Sequence, residues 1–96
     1  MIKVDLIYNG DLICGFTMKG HANTADYGND LVCAAVSAIV TGGFNAFDDE
    51  DVSEIALDEG YAKVVVITDN GYSILKTIIV QLKTIEEAYP NNIKIK

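Results

Sequence analysis

The sequence predicts an α/β sandwich, a mixed β-sheet carrying two helices in the order ββαββαβ. Three observations predict it. Apolar residues alternate with polar ones in short stretches on either side of glycine-bearing turns. Two longer stretches, residues 30–47 and 72–89, carry apolar residues at helical spacing. A β-branched run, Val64-Val65-Val66-Ile67, separates them and reads as a central strand covered on both faces.

The elements follow in order. Residues 1–8 place Ile2, Val4, Leu6 and Tyr8 on one side and Lys3 and Asp5 on the other, which is strand period. Asn9-Gly10-Asp11 is a hairpin turn. Residues 12–19 form its second strand, with Leu12, Cys14, Phe16 and Met18 expected on the core face. A polar loop covers residues 20–29. The first helix is expected from Asp30 to Phe47, with Asn29 or Asp30 as N-cap. It is apolar nearly all round, so it is expected to be buried on several sides. Gly42-Gly43 weakens its later turns and permits another part of the protein to approach closely.

Asp48-Asp49-Glu50-Asp51 reads as a solvated loop, because a calcium loop's glycine and closing glutamate are replaced by Ser53 and Glu59. Residues 52–57 and 61–68 form a hairpin around Asp58-Glu59-Gly60. Asp69-Asn70-Gly71 is a turn. The second helix runs over 72–89 and stops before Pro90, and a short strand with Ile93 and Ile95 inward closes the chain.

Composition bounds the function. The chain has 96 residues, half of them hydrophobic, with no Pro/Ser-rich linker or repeat, so residues 1–96 are expected to form one domain. At this size about 60–70 % of the unfolded chain's surface can be buried. Charges in the first residues argue against a signal peptide, and no apolar run reaches the roughly 18 residues of a membrane span. Two cysteines make no disulfide framework, so a reducing cytoplasm is the expected setting. The net charge of −7 argues against direct binding of nucleic acid, which needs clustered Lys or Arg, and is compatible with a basic protein or peptide partner.

The chemistry is concentrated between Gly20 and Ala38. His21 is the only histidine, and Cys33 follows it across a short polar loop that contains Gly28. With Asp30 as cap, Cys33 would stand in the first helical turn, where unsatisfied N–H groups and the dipole favour a thiolate. His21 could then act as its base and the same N–H groups as an oxyanion site. Asp30, Asp26 and Asn23 are the candidates to orient the ring. Asp30, Cys33 and Ser37 share one helical stripe. Spacing alone leaves the plainer account open, a buried structural thiol and an ordinary loop histidine. A zinc site from His21, Asp26, Asp30 and Cys33 lacks a second Cys or His pair. Ser37 as nucleophile is weaker still, lying one turn deeper. Cys14 reads as a core residue.

At these residues the sequence resembles the bacterial ribosomal-processing cysteine proteases, the Prp family. The resemblance is carried by Gly20-His21-Ala22, by Tyr27-Gly28-Asn29-Asp30-Leu31-Val32-Cys33-Ala34-Ala35-Val36-Ser37-Ala38, by Asn45-Ala46, and by the helix end Leu82–Tyr89. Residues 48–60 match poorly. The resemblance implies a cysteine endopeptidase that removes a short N-terminal extension from a large-subunit ribosomal protein, cutting after an aromatic residue. It implies Cys33 and His21 as the catalytic pair, Asp30 and Ser37 as supporting residues, and no cofactor. It further implies a homodimer and a mobile loop over 22–29 that closes on substrate, bounded by Gly20 and with Gly28 as a plausible hinge. A non-catalytic ribosome-associated binding module of the same fold is the alternative.

Overall fold

The computed structural model describes residues 1–20 and 27–96, and for residues 27–30 the backbone only. The strands are β1 (Ile2–Asn9), β2 (Leu12–Lys19), β3 (Val52–Asp58), β4 (Tyr61–Val66) and β5 (Ile93–Ile95), and the helices are α1 (Tyr27–Phe44) and α2 (Asp69–Ala88). They form one mixed sheet in the order β3-β4-β2-β1-β5. Every pairing is antiparallel except β1 with β5. The expected ββαββαβ order is therefore the observed one.

One face of the sheet supplies Ile2, Val4, Phe16, Met18, Ala62, Val64 and Val66 to the core. Val32, Val36, Val40 and Phe44 of α1 pack onto it at four-residue spacing, beside Leu75, Ile78, Ile79 and Leu82 of α2. Burying each such side chain contributes about 1.5–3 kcal/mol.

Local expectations fail where tertiary context decides. The register slips between Ile7 and Tyr8, so Ile7 faces Gly15 while Tyr8 faces Ile13. The extra residue on β2 reverses the alternation beyond Cys14. Ile13 then packs toward the core, while Leu12 is 62 % exposed and Tyr8 is exposed too. β4 is covered on one face only, for Val64 and Val66 are buried while Val65 is half-buried and Ile67 beyond the strand is exposed. A β-branched run reports strand preference, not two-sided cover.

The first helix begins at Tyr27 rather than Asp30 and ends at Phe44 rather than Phe47. Asp30 is its fourth residue and not its N-cap, and Gly28 is its second residue and not part of a loop. Asn and Asp suit a helix's first turn as well as its cap, so they do not fix the boundary. Past Phe44 the chain tightens, as Ala46 and Phe47 donate to the carbonyls three residues back. Nor is α1 buried on several sides. Leu31, Ala34 and Ala38 stand exposed opposite the valine stripe.

The acidic run is not simply a solvated loop. Asp51, in the 3-10 turn Asp49–Asp51, is buried. Its Oδ1 accepts from the Thr68 hydroxyl at 2.5 Å, and its Oδ2 accepts from Asp48 N–H and Asn70 Nδ2 at 2.9 Å each. Thr68 is the N-cap of α2, and its Oγ1 accepts from Gly71 N–H at 2.9 Å. The sequence 69–71 is thus the helix's first turn, not a separate turn. Gly71 is required there by packing, because a Cβ would lie 2.8 Å from the Asp51 carbonyl oxygen. One carboxylate ties the α1–β3 connection to the start of α2.

The Thr68 hydroxyl, followed by the Asp48 N–H, holds the Asp51 carboxyl below its usual 3.8. A depressed folded value stabilises the protein above the unfolded value, and that contribution disappears as pH falls through the folded one. Thermal melts of the wild type should therefore lose stability below about pH 4, where the unfolded group starts to protonate. Asp51→Asn should lower the melting temperature at neutral pH, since its amide sets a donor against a donor, and should flatten that acid-side decline. In the core, Leu82→Ala should cost about 2–5 kcal/mol in denaturant unfolding.

Candidate active site

Cys33 lies on the seventh residue of α1, on the flank of the valine stripe, and is half-buried. Ser37 is one turn further along the same stripe and exposed, and Thr41 is one turn beyond that. All three line a cleft of about 300 Å³. Its floor is made of core residues, Ile2 and Met18 from the sheet and Val36 and Val40 from α1. Its far wall is the β3–β4 hairpin, Leu57 to Gly60.

The sheet register builds that wall. β2 pairs with β4 so that Met18 faces Ala62 and Lys19 faces Tyr61. β3 pairs with β4 so that Leu57 also faces Ala62. Met18, Ala62 and Leu57 therefore form one row across three strands. The Gly20 N–H then donates to the Gly60 carbonyl at 3.1 Å, closing the end of the cleft. Gly20 has φ +97°, and a Cβ there would lie 2.5 Å from the Met1 carbonyl oxygen. Only glycine fits without strain at the point where the chain leaves the sheet toward His21.

The structure thus brings Gly20, Cys33 and Ser37 to one cleft. His21 lies outside the described residues, as do Ala22 to Asp26 of the expected lid and the side chain of Asp30. One expectation about electrostatics changes. The free N–H groups of a helix are its first four, here residues 27–30. Cys33 is three residues, about 4.5 Å, beyond the last of them and in the second turn, where the dipole's influence has fallen off. Its own amide is inside the helical ladder and is no oxyanion donor.

The hairpin residues 57–60 are the part of the cleft that sequence reading missed. Nothing local marks them, since Asp58-Glu59-Gly60 reads as an ordinary turn. Only the pairing of β2 with β4 carries them to Cys33. Leu57 is 49 % exposed, an apolar side chain left open at the cleft. Asp58 and Glu59 add negative charge beside it.

A larger groove of about 420 Å³ lies elsewhere, between residues 11–13 and the outer side of α2. Asp11, Tyr72, Lys76 and Lys83 line it but no thiol does, whereas Cys33 and Ser37 open onto the smaller cleft, so the candidate site is the smaller one. Cys14, on β2, is buried at 7 % exposure, as expected. No disulfide forms among the described residues, and no cluster of three His, Cys, Asp or Glu that could hold a metal is found among them. No helix among the described residues is long and apolar enough to cross a membrane.

The chain matches the family model described as cysteine protease Prp over residues 1–94. The ribosomal processing cysteine protease Prp of Mycoplasma genitalium is 38 % identical over 98 residues, covering 99 % of this chain and 94 % of that protein. The crystal structure of an essential ribosomal processing protease Prp from S. aureus with a substrate peptide superposes at TM-score 0.86 and 34 % identity, covering 100 % of this chain and 98 % of that one. A second structure of Prp from S. aureus, with a covalently linked product peptide, gives 0.84 and 35 % over the same shares.

The two thiols should separate by accessibility. Under native conditions iodoacetamide should modify Cys33 well before Cys14, as read by peptide mass spectrometry, and Cys33→Ser should leave the folded protein unlabelled. Equal labelling of both would place Cys33 away from an open cleft.

Proposed function

This chain belongs to the cysteine protease Prp family, and from that premise we propose that it is the endopeptidase that trims a ribosomal protein, with Cys33 as nucleophile and His21 as its base. The observation that carries the reading is the position of Cys33 and Ser37 on one stripe of α1, lining a cleft with Gly20, the residue before His21. Relatives named ribosomal processing cysteine proteases support the substrate class. The structure of one of them with a covalently linked product peptide supports a covalent route.

The steps follow from the chemistry of a thiol and an imidazole. His21 takes the proton of the Cys33 thiol. The sulfur attacks the scissile carbonyl carbon, and the carbonyl π electrons move to oxygen. Collapse of the tetrahedral adduct breaks the C–N bond, and His21 returns its proton to the leaving amine. A thioester to Cys33 remains. Water, deprotonated by His21, attacks that carbonyl and releases the acid and the thiol. Ser37 is placed one turn from Cys33 to hydrogen-bond the bound peptide. Asp30, one turn before Cys33, is the candidate to orient His21. No step calls for a cofactor.

The substrate is an N-terminal peptide of a large-subunit ribosomal protein, and its basic character complements the acidic enzyme and the Asp58–Glu59 rim of the cleft. Such a protease works where ribosomes assemble, in the cytoplasm. A second copy of the chain covers the exposed Leu31, Ala34 and Ala38 of α1, since an apolar helix face open to water favours association.

Two measurements test this reading. Cleavage of a peptide spanning the extension junction should fall at least about 10³-fold in Cys33→Ala and in His21→Ala, with folding unchanged by circular dichroism. Equal cleavage by all three proteins would remove the catalytic assignment. Light scattering should give about twice the 10.4 kDa chain mass, and Ala38→Glu should return the monomer.

A further inference from the structure

The sheet face turned away from the helices gathers the chain's positive charge. The sequence scatters seven lysines among fourteen acidic residues. The strand register brings five of them to this one face. Lys94 pairs with Lys3, and Lys3 pairs with Lys19, so three lysines stand side by side on β5, β1 and β2. All three are exposed. Tyr61 of β4 continues the row beside Lys19, and Asp58 of β3 closes it beyond Tyr61. In the next row Lys96 lies beside Asp5, through backbone bonds to Val4 and Leu6, and Lys63 lies beside Thr17.

Lys63 has a counter-ion, with its Nζ 2.8 Å from Glu54 Oε2. Lys94, Lys3 and Lys19 have no ion pair among the described residues. Neighbouring strands are about 4.8 Å apart, and like charges directly opposite one another destabilise a sheet. In a chain with twice as many acids as lysines, a carboxylate at any of the three positions would have relieved that repulsion. Asp5 shares the face but makes no ion pair with any of the three, and three like charges held side by side point to a partner outside the fold. A shallow depression of about 220 Å³ lies against Lys3, Lys94 and Lys96, with Asp5 the one acid on its lining.

We propose that this face binds single-stranded RNA, with Lys94, Lys3 and Lys19 against successive backbone phosphates and Tyr61 offering its ring to a base. Three point-charge donors in a row with an aromatic beside them are the elements of a single-strand platform. The net charge, which argued against nucleic acid, is an average over the chain; phosphates respond to the local row. The face is opposite the Cys33 cleft, so RNA and substrate peptide would bind without competing. In the reading proposed above the substrate is a ribosomal protein, whose natural surroundings are RNA. The RNA contact itself does not depend on cleavage.

Fluorescence anisotropy with a short unstructured RNA tests this, using the intact protein at low salt. The wild type should bind, and log affinity should fall against log salt with a slope of about −2, the value for three phosphates on a single strand. Lys3→Glu and the double variant Lys3→Glu/Lys94→Glu should each weaken binding at least about tenfold and flatten that slope. Because Lys3→Glu replaces the central repulsion by attraction on both sides, its melting temperature should equal or exceed that of the wild type. Peptide cleavage should be unchanged in both variants, which separates failure of this inference from failure of the protease reading. The proposal is overturned by absence of RNA binding in the wild type, by undiminished binding in the charge-reversed variants, or by polyglutamate competing as well as RNA, which would assign the row to an acidic protein.

Discussion

The cleft depends on one constraint, the antiparallel register between β2 and β4. That register sets Met18 opposite Ala62 and brings the β3–β4 hairpin to the end of β2. It is locked at its end by the Gly20 N–H bond to Gly60. A slip of β4 by one residue against β2 would turn Ala62, Val64 and Val66 to the solvent face and take the hairpin away from Cys33. The cleft beside Cys33 and the basic row on the other side are two consequences of the same pairing. Burial of Phe16 and Val64, which face each other on the core side, holds it in place.

The second element of the site is α1, and its position is a matter of packing. Val32, Val36, Val40 and Phe44 press one side of the helix onto the sheet. Cys33, Ser37 and Thr41 follow the valines by one position, so they fall on the adjacent flank at the cleft's edge. The nucleophile is thereby fixed on a rigid element and partly shielded from water. The Asp51 knot acts further away. It holds the connection after α1 to the start of α2 through Thr68 and Asn70, so both helices keep their places over one sheet face.

Much of this was legible in the sequence. The order of elements, the inward Ile2, Val4, Phe16 and Met18, and the stripe shared by Cys33 and Ser37 all follow from periodicity. The Gly-His-Ala and Asp-Leu-Val-Cys-Ala pieces carried the family resemblance. What was missed depends on contacts between distant segments. The bulge after Ile7 turned Leu12 outward, and no residue there announces it. Asp51 looked like its solvated neighbours until Thr68 and Asn70 reached it. The polar first turn of α1 resembles a cap, so the pattern alone puts the helix start three residues late. With the helix starting at Tyr27, Cys33 stands in the second turn, beyond the main reach of the dipole. His21's proton transfer then carries more of the proposed activation. The hairpin wall and the lysine row arise from strand pairing, which single-strand patterns do not encode.

The central claim is that the sulfur of Cys33 becomes covalently bound to the acyl part of its peptide substrate. The most direct measurement is intact-mass spectrometry of the enzyme mixed with the ribosomal-protein N-terminal peptide and quenched in acid within the first turnover. The expected result is a species heavier by the N-terminal fragment less one water, mapping to Cys33 after digestion and absent from Cys33→Ala. Cleavage that proceeds with no adduct on Cys33, or equally well in Cys33→Ala, would contradict it.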